Sequence, residues 1–169
     1  MNIRLATMED DVKIKELMNS AMYDKEKDQS NTGFFYVKYT LERVQQALRE
    51  EIFYVAVEND EIIGYVWPQS KKQFAIESEG LFEISPDDES NWYFVRQLIS
   101  KPKTGKFVGK ALYDYIKEEF KSNIWAGVFV NPLNQRSIDF HINQGFKEKF
   151  EIEQTSGNII GVYVYEYNE

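Results

Sequence analysis

Cysteine is absent from this 169-residue chain. That absence excludes disulfides, a thiolate-ligated zinc, an iron–sulfur cluster and a cysteine nucleophile. Histidine is nearly absent too. His141 is the single one, so no site can be built on two imidazoles, and a Ser-His-Asp arrangement would have to use it. Positive charge is in deficit, with 20 Lys and Arg against 28 Asp and Glu and a net charge of −8. Such a chain is poorly suited to nucleic acid or to an anionic membrane surface. No run approaches the ~18 apolar residues of a membrane span, and Met1-Asn2-Ile3-Arg4-Leu5 lacks the apolar stretch of a secretory signal. The expectation is a soluble cytoplasmic protein with no metal and no nucleic-acid or membrane partner.

Glycine and proline number nine and four and are scattered, so no linker divides the chain. One domain spanning 1–169 is expected. A domain of this length hides roughly 70% of its unfolded surface and needs no cross-link to fold.

The apolar pattern alternates between strand and helix periods, which reads as an α/β chain. Ile3 to Ala6 form a first strand. Thr7, with Asp10 three residues on, opens a helix whose apolar face is Ile14, Leu17, Met18 and Ala21. Residues 24–33 read as a polar loop, and Leu41, Val44 and Leu48 mark a second helix. Ile52–Glu58 and Glu61–Trp67 make a hairpin about Asn59-Asp60, with Pro68 ending it. Residues 71–91 fit a strand pair or an inserted loop. Strands follow at 91–100 and 124–130, a helix runs from Val108 to Phe120, and a short helix from Asn134 to Asn143 closes near Gly145. Strands over 146–153 and 160–167 end the chain. The stripe Tyr163, Tyr165, Tyr167 reads as sheet packing, with a homodimer contact through that sheet as the alternative.

The segment Lys101 to Lys110 (KPKTGKFVGK) carries four lysines and no acid, so the rest of the chain balances at −12. It sits where a strand turns into a helix. The first N–H groups of a helix lack internal partners and lie at the positive end of its dipole, so this turn is a candidate phosphate cradle. A solvated basic loop is the plainer alternative. It is not a Walker A loop: three residues, not four, separate Gly105 from Gly109, and Ala111 follows Lys110 where a hydroxyl is required. It is not a dinucleotide fingerprint either.

Thirty residues on, the run Val130-Asn131-Pro132-Leu133-Asn134-Gln135-Arg136-Ser137-Ile138-Asp139-Phe140-His141 leads to Gly145-Phe146. Here the sequence resembles the GNAT acetyltransferase superfamily, in which a strand is followed by an Asn, a short helix ending in Phe-Tyr or Leu-Tyr, and Gly-Phe. The opening Ile3-Arg4-Leu5-Ala6-Thr7 with Asp10, and the hairpin FYVAVENDEIIGYV, also resemble that family. The resemblance implies a three-layer fold: a twisted, mixed, mostly antiparallel sheet of six to seven strands flanked by about four helices. It implies an acetyl-CoA-dependent N-acetyltransferase acting on a small-molecule or peptide amine.

Carried over residue by residue, the resemblance places the acetyl-CoA site on Leu98 and Ile99 of one strand, on the loop Thr104, Gly105, Lys106, Phe107, Val108, Gly109 and Lys110, and on Asn134. It makes a backbone N–H near Ile99 the oxyanion donor and His141 the candidate general acid, in place of the family's tyrosine. Asn134 reads equally as a helix cap. Glu77, Glu79, Glu83, Asp87 and Asp88 are candidate bases or a solvated acidic face, and none is singled out. The phosphate loop is degenerate: Thr104 stands where Arg or Gln is usual and Phe107 where a Gly is usual. These departures and His141 motivate an alternative, a non-catalytic CoA-binding, regulatory or interaction module on the same fold.

Overall fold

The computed structural model describes residues 1–27, 29, 33–77, 91–101 and 107–168. In chain order the elements are β1 (Asn2–Leu5), a 3-10 turn (Met8–Asp10), α1 (Asp11–Ser20), α2 (Leu41–Glu50), β2 (Tyr54–Glu58), β3 (Glu61–Ser70), α3 (Lys71–Glu77), β4 (Trp92–Ser100), α4 (Val108–Phe120), β5 (Asn123–Asn131), α5 (Gln135–Asn143), β6 (Lys147–Glu153) and β7 (Ile159–Tyr165). The strands form one sheet in the order β1-β2-β3-β4-β5-β7-β6. Every neighbouring pair is antiparallel except β4 with β5. The architecture expected from the resemblance is therefore the one observed.

Local chemistry sets each boundary. The Asp10 carboxylate accepts the Thr7 N–H at 2.8 Å and takes both ends of the Arg4 guanidinium at 2.7 and 2.9 Å, tying β1 to the start of α1. Thr40 Oγ1 accepts the Arg43 N–H at 3.2 Å and caps α2. Asn59 and Asp60 both take positive φ (50° and 61°), so the β2–β3 hairpin turns as a mirror-type two-residue loop without glycine.

Two expectations need correction. Pro68 does not end its strand. β3 runs on to Ser70 because the register slips between Trp67 and Pro68, opposing Trp67 to Gln97 and Pro68 to Val95 and leaving Arg96 as an extra residue in β4. A bulge is a place where a residue without an N–H does little harm. Residues 71–77 form a helix, α3, rather than a strand or loop. Its Phe74 packs on Trp92 and Phe94, and it is the helix that brings the α-helices among the described residues to five. Residues 78–90 lie outside the described residues.

The sheet has a core on each face. On one side Leu112, Tyr113 and Ile116 of α4 pack against Val66, Val95, Ile124 and Ala126. On the other, Ile14, Leu17 and Met18 of α1 and Val44 and Ala47 of α2 cover Val55, Tyr65, Trp67 and Ile99. Tyr163 is buried in the first core, and Tyr165 packs on Phe146 beneath the Lys117 ammonium.

Candidate functional site

The site begins where the sheet comes apart. β4 and β5 pair only from Trp92 to Val95 against Asn123 to Ala126. At Arg96 the bulge turns β4 away, while β5 continues alongside β7 from Ile124 to Asn131. The second half of β4 thus keeps β3 on one side and, among the described residues, has no strand on the other. Which N–H groups face the gap follows from antiparallel alternation. Lys101 N–H donates to Ile63 O at 2.8 Å. Ile99, opposite Tyr65 and two residues back, belongs to the same class of pair and turns its N–H toward β3. Leu98 and Ser100 turn theirs into the gap. The N–H of Ile99, expected as the oxyanion donor, therefore faces β3, and the N–H groups that face the gap are those one position to either side, because the strand period is two.

The N-terminus of α4 meets this gap. Its first intrahelical bond runs from Ala111 N to Phe107 O at 2.9 Å, so the N–H groups of Val108, Gly109 and Lys110 precede the ladder, and all three residues line the cleft. Phe107 points outward and is 85% exposed, so its ring does not fill the cradle. Gly109 lets α4 approach α5: a Cβ there would lie 2.9 Å from Phe140 Cζ and 3.3 Å from Leu98 Cδ2. The lysines contribute less than their number suggests. Lys110 pairs with Asp114 one turn on, and Lys101 pairs with Glu61. Thr104, Gly105 and Lys106 lie outside the described residues.

Asn134 does two things at once. Its Oδ1 accepts the Ser137 N–H at 3.4 Å as the cap of α5, and its Nδ2 donates to Phe34 O at 3.3 Å. The second bond fastens the α1–α2 connection over the cleft. That strap is held at its base by Phe35 N–H to Ala21 O and Tyr23 N–H to Phe35 O, both 2.8 Å. Its rings pack inward, Tyr23 stacked on Tyr36 at 4.5 Å and Tyr36 tilted against Phe129 at 4.7 Å between centroids. The sequence reading missed this wall. The aromatic run Phe34-Phe35-Tyr36, after a polar stretch, was the available signal.

His141 is not brought to the cleft. It is 7% exposed and sits among Tyr113, Phe140, Phe146 and Tyr163. Its Nδ1 lies 2.7 Å from Ser137 O, which can only accept, so Nδ1 carries the hydrogen; Nε2, 2.8 Å from Tyr113 Oη, accepts the phenol proton. Burial pushes the imidazole pKa down to about 4, with the Ser137 carbonyl opposing that shift. A neutral ring with both nitrogens engaged in the core is ill placed to protonate a leaving group.

The resulting cleft has a volume of about 540 Å³, within the usual range for small-molecule sites. Leu98, Ile99 and Ser100 form one wall, Phe107 to Lys110 another, Asn134 to Phe140 a third, and Gly33 to Phe35 the roof. Among the described residues no group of three or more His, Asp or Glu could hold a metal ion, and no helix is long and apolar enough to cross a membrane.

The sequence model of the Acetyltransferase (GNAT) family matches residues 14–146. The chain belongs to this family. It is an N-acetyltransferase, and acetyl-CoA is the acetyl donor. No curated protein sequence matches it. Among solved structures, the GNAT fold is shared with the ribosomal-protein-alanine N-acetyltransferase of Brucella melitensis (TM-score 0.70, 16% identity, 98% of this chain and 99% of that one). It is shared with yncA of Salmonella typhimurium with its cofactor acetyl-CoA (0.69, 16%, 100% and 95%). It is shared also with the aminoglycoside 6′-N-acetyltransferase of Enterococcus faecium (0.68, 14%, 100% and 98%). The GNAT cofactor fits the residues present: a free strand edge suits an amide-bearing arm, and the three leading N–H groups of α4 suit a diphosphate.

Proposed function

We propose that this single domain, 1–169, moves an acetyl group directly from acetyl-CoA to an amine, and that the free edge of β4 is the observation that carries this reading. When bound, acetyl-CoA supplies an activated thioester. The N–H groups of Leu98 and Ser100 face the place where carbonyl oxygen charge would grow, and donors fixed beforehand in a strand stabilise that charge without reorganising. The α4 N–H groups of Val108, Gly109 and Lys110 hold the diphosphate and fix the reach of the arm. Asn134 holds the roof over the cleft, which orients donor and acceptor. No acyl group passes through the protein by way of cysteine, because the chain has none.

His141 is assigned a packing role. A thiol with a pKa near ~8.5 leaves well enough for water to protonate it. Glu77, Glu79, Glu83, Asp87 and Asp88 stay candidate bases or a solvated acidic face, with none singled out; Glu77 closes α3 and the other four lie outside the described residues. A net charge of −8 favours a cationic acceptor amine. The structural relatives bear names with unlike acceptors, a ribosomal-protein alanine and an aminoglycoside, at nearly equal TM-scores. Fold similarity therefore does not choose between a peptide and a small molecule.

The experiment is thiol release from acetyl-CoA across a panel of small amines, aminoglycosides and peptide N-termini. A cysteine-free protein contributes no thiol to the signal. Release with one acceptor class supports transfer. Tight binding with no release from any acceptor supports the non-catalytic alternative, which the departures at Thr104, Phe107 and His141 motivate.

A further inference from the structure

Phe107 is the most exposed large apolar side chain among the described residues, at 85%. Isolated exposed rings are ordinary on protein surfaces, so exposure alone decides nothing. Its position does. The backbone of Phe107 is fixed, because its carbonyl accepts the first hydrogen bond of α4, and the ring projects from that fixed point at the rim of the cleft. It touches neither core: neither face of the sheet counts it among its packed residues. The family's pattern has glycine here, so a bulky ring is a departure in this chain.

The order of groups along CoA then fixes what passes this rim. The thioester belongs at the free edge of β4 and the diphosphate at the N–H groups of Val108, Gly109 and Lys110. Only a ribose separates the diphosphate from the adenine, so a base within a sugar's length of the cradle is within reach of the rim that carries Phe107. Resting on the acetyl-CoA reading of the cleft, we propose that the Phe107 ring is a stacking platform for the adenine of CoA. Every base offers a π-face, so stacking asks only for a ring held at the right place.

The test compares wild type, Phe107→Ala and Phe107→Trp by calorimetric titration with CoA, 3′,5′-ADP and pantetheine. Phe107→Ala should weaken CoA and 3′,5′-ADP by about 10-fold, about 1.4 kcal/mol, and leave pantetheine unchanged. Its melting temperature should match wild type, because the ring is exposed and belongs to neither core. Phe107→Trp should restore affinity. Its added emission should be quenched by CoA and 3′,5′-ADP and not by pantetheine; Trp67 and Trp92 are buried and Trp125 is half-buried, and the same titration of wild type gives their background. Equal loss for pantetheine and CoA, unchanged CoA affinity in Phe107→Ala, or an unquenched Trp each overturns the platform. Wild type binding CoA while Phe107→Ala binds it as well removes only this inference. A wild type that binds neither CoA nor 3′,5′-ADP removes the cofactor reading with it.

Discussion

The Nε2 of His141 and the hydroxyl of Tyr113 meet at 2.8 Å in the core between α4 and α5. The phenol donates, the imidazole accepts, and the other ring nitrogen donates to Ser137 O. Burial lowers the His141 pKa to about 4, against ~6.5 in an unfolded chain. A depressed folded value means that stability present above pH ~6.5 is lost as pH falls toward 4, since the unfolded chain binds the proton first. Between pH 7 and 5 the loss should be about 2 kcal/mol, a fall in melting temperature of about 4–8 °C. His141→Gln should flatten that slope. Its turnover at pH 7.5 should stay within about threefold of wild type. A loss of about 100-fold in a folded variant, the scale of general acid catalysis, would return His141 to the reaction.

Gly109→Ala sets two effects against each other. Alanine inside a helix gains about 1 kcal/mol over glycine. Here the added Cβ would lie 2.9 Å from Phe140 Cζ, and overpacking costs about 1–3 kcal/mol. The clash wins, and α4 must move off α5 at the cradle. We expect net destabilisation in urea and acetyl-CoA affinity weakened by about 10-fold. Adding Phe140→Leu removes the ring that is struck and should restore most of both. No rescue by the second change would place the defect at the diphosphate itself.

Much of this fold was legible because period and punctuation agreed. Thr7 and Asp10, the Asn59-Asp60 turn and the α4 face all stand where the residue pattern puts them. The misreadings share a cause: tertiary pairing overrides a local signal. Pro68 reads as a stop only until β4 supplies a bulge at Arg96. Residues 71–77 lack a helical signature of their own and are helical because Phe74 has Trp92 and Phe94 to cover. At the site, element order pointed to β4, but which residue faces the gap depends on the register with β3, which no spacing reveals. His141 stands at the position where the resemblance placed it and points into the core because Tyr113 offers it a partner there.

Asp10 should be among the costliest single carboxylates to remove. It is 5% exposed, accepts both ends of Arg4 and holds the Thr7 N–H. The Arg4 guanidinium, with help from that N–H, keeps its pKa below the ordinary carboxylate value. Asp10→Ala removes a cap and strands a part-buried guanidinium, so a loss of about 2–3 kcal/mol is expected in equilibrium unfolding. By linkage, the Asp10 share of stability holds above pH ~4 and disappears below it, under the window in which His141 acts. The two residues therefore predict separate acid transitions. Asp10→Asn should erase the lower one and leave the upper one in place.

Asn134 carries two bonds that substitution can separate. Serine caps helices about as well as asparagine but has no amide to reach Phe34 O. Asn134→Ser should therefore keep α5 and release the roof, whereas Asn134→Ala should lose both, with about 1 kcal/mol more destabilisation. Hydrogen exchange of the Phe35 amide, which bonds Ala21 O, reads the roof directly and should accelerate about equally in the two variants. If the roof orients the acceptor, the amine KM rises in both by a similar factor, and acetyl-CoA affinity falls mainly in Asn134→Ala, where the first turn of α5 frays. Unchanged Phe35 exchange in Asn134→Ser would mean that the 3.3 Å bond to Phe34 O contributes nothing to holding the strap. The packed rings of Tyr23, Tyr36 and Phe129 would then be its anchor, and Tyr36→Ala the variant that frees it.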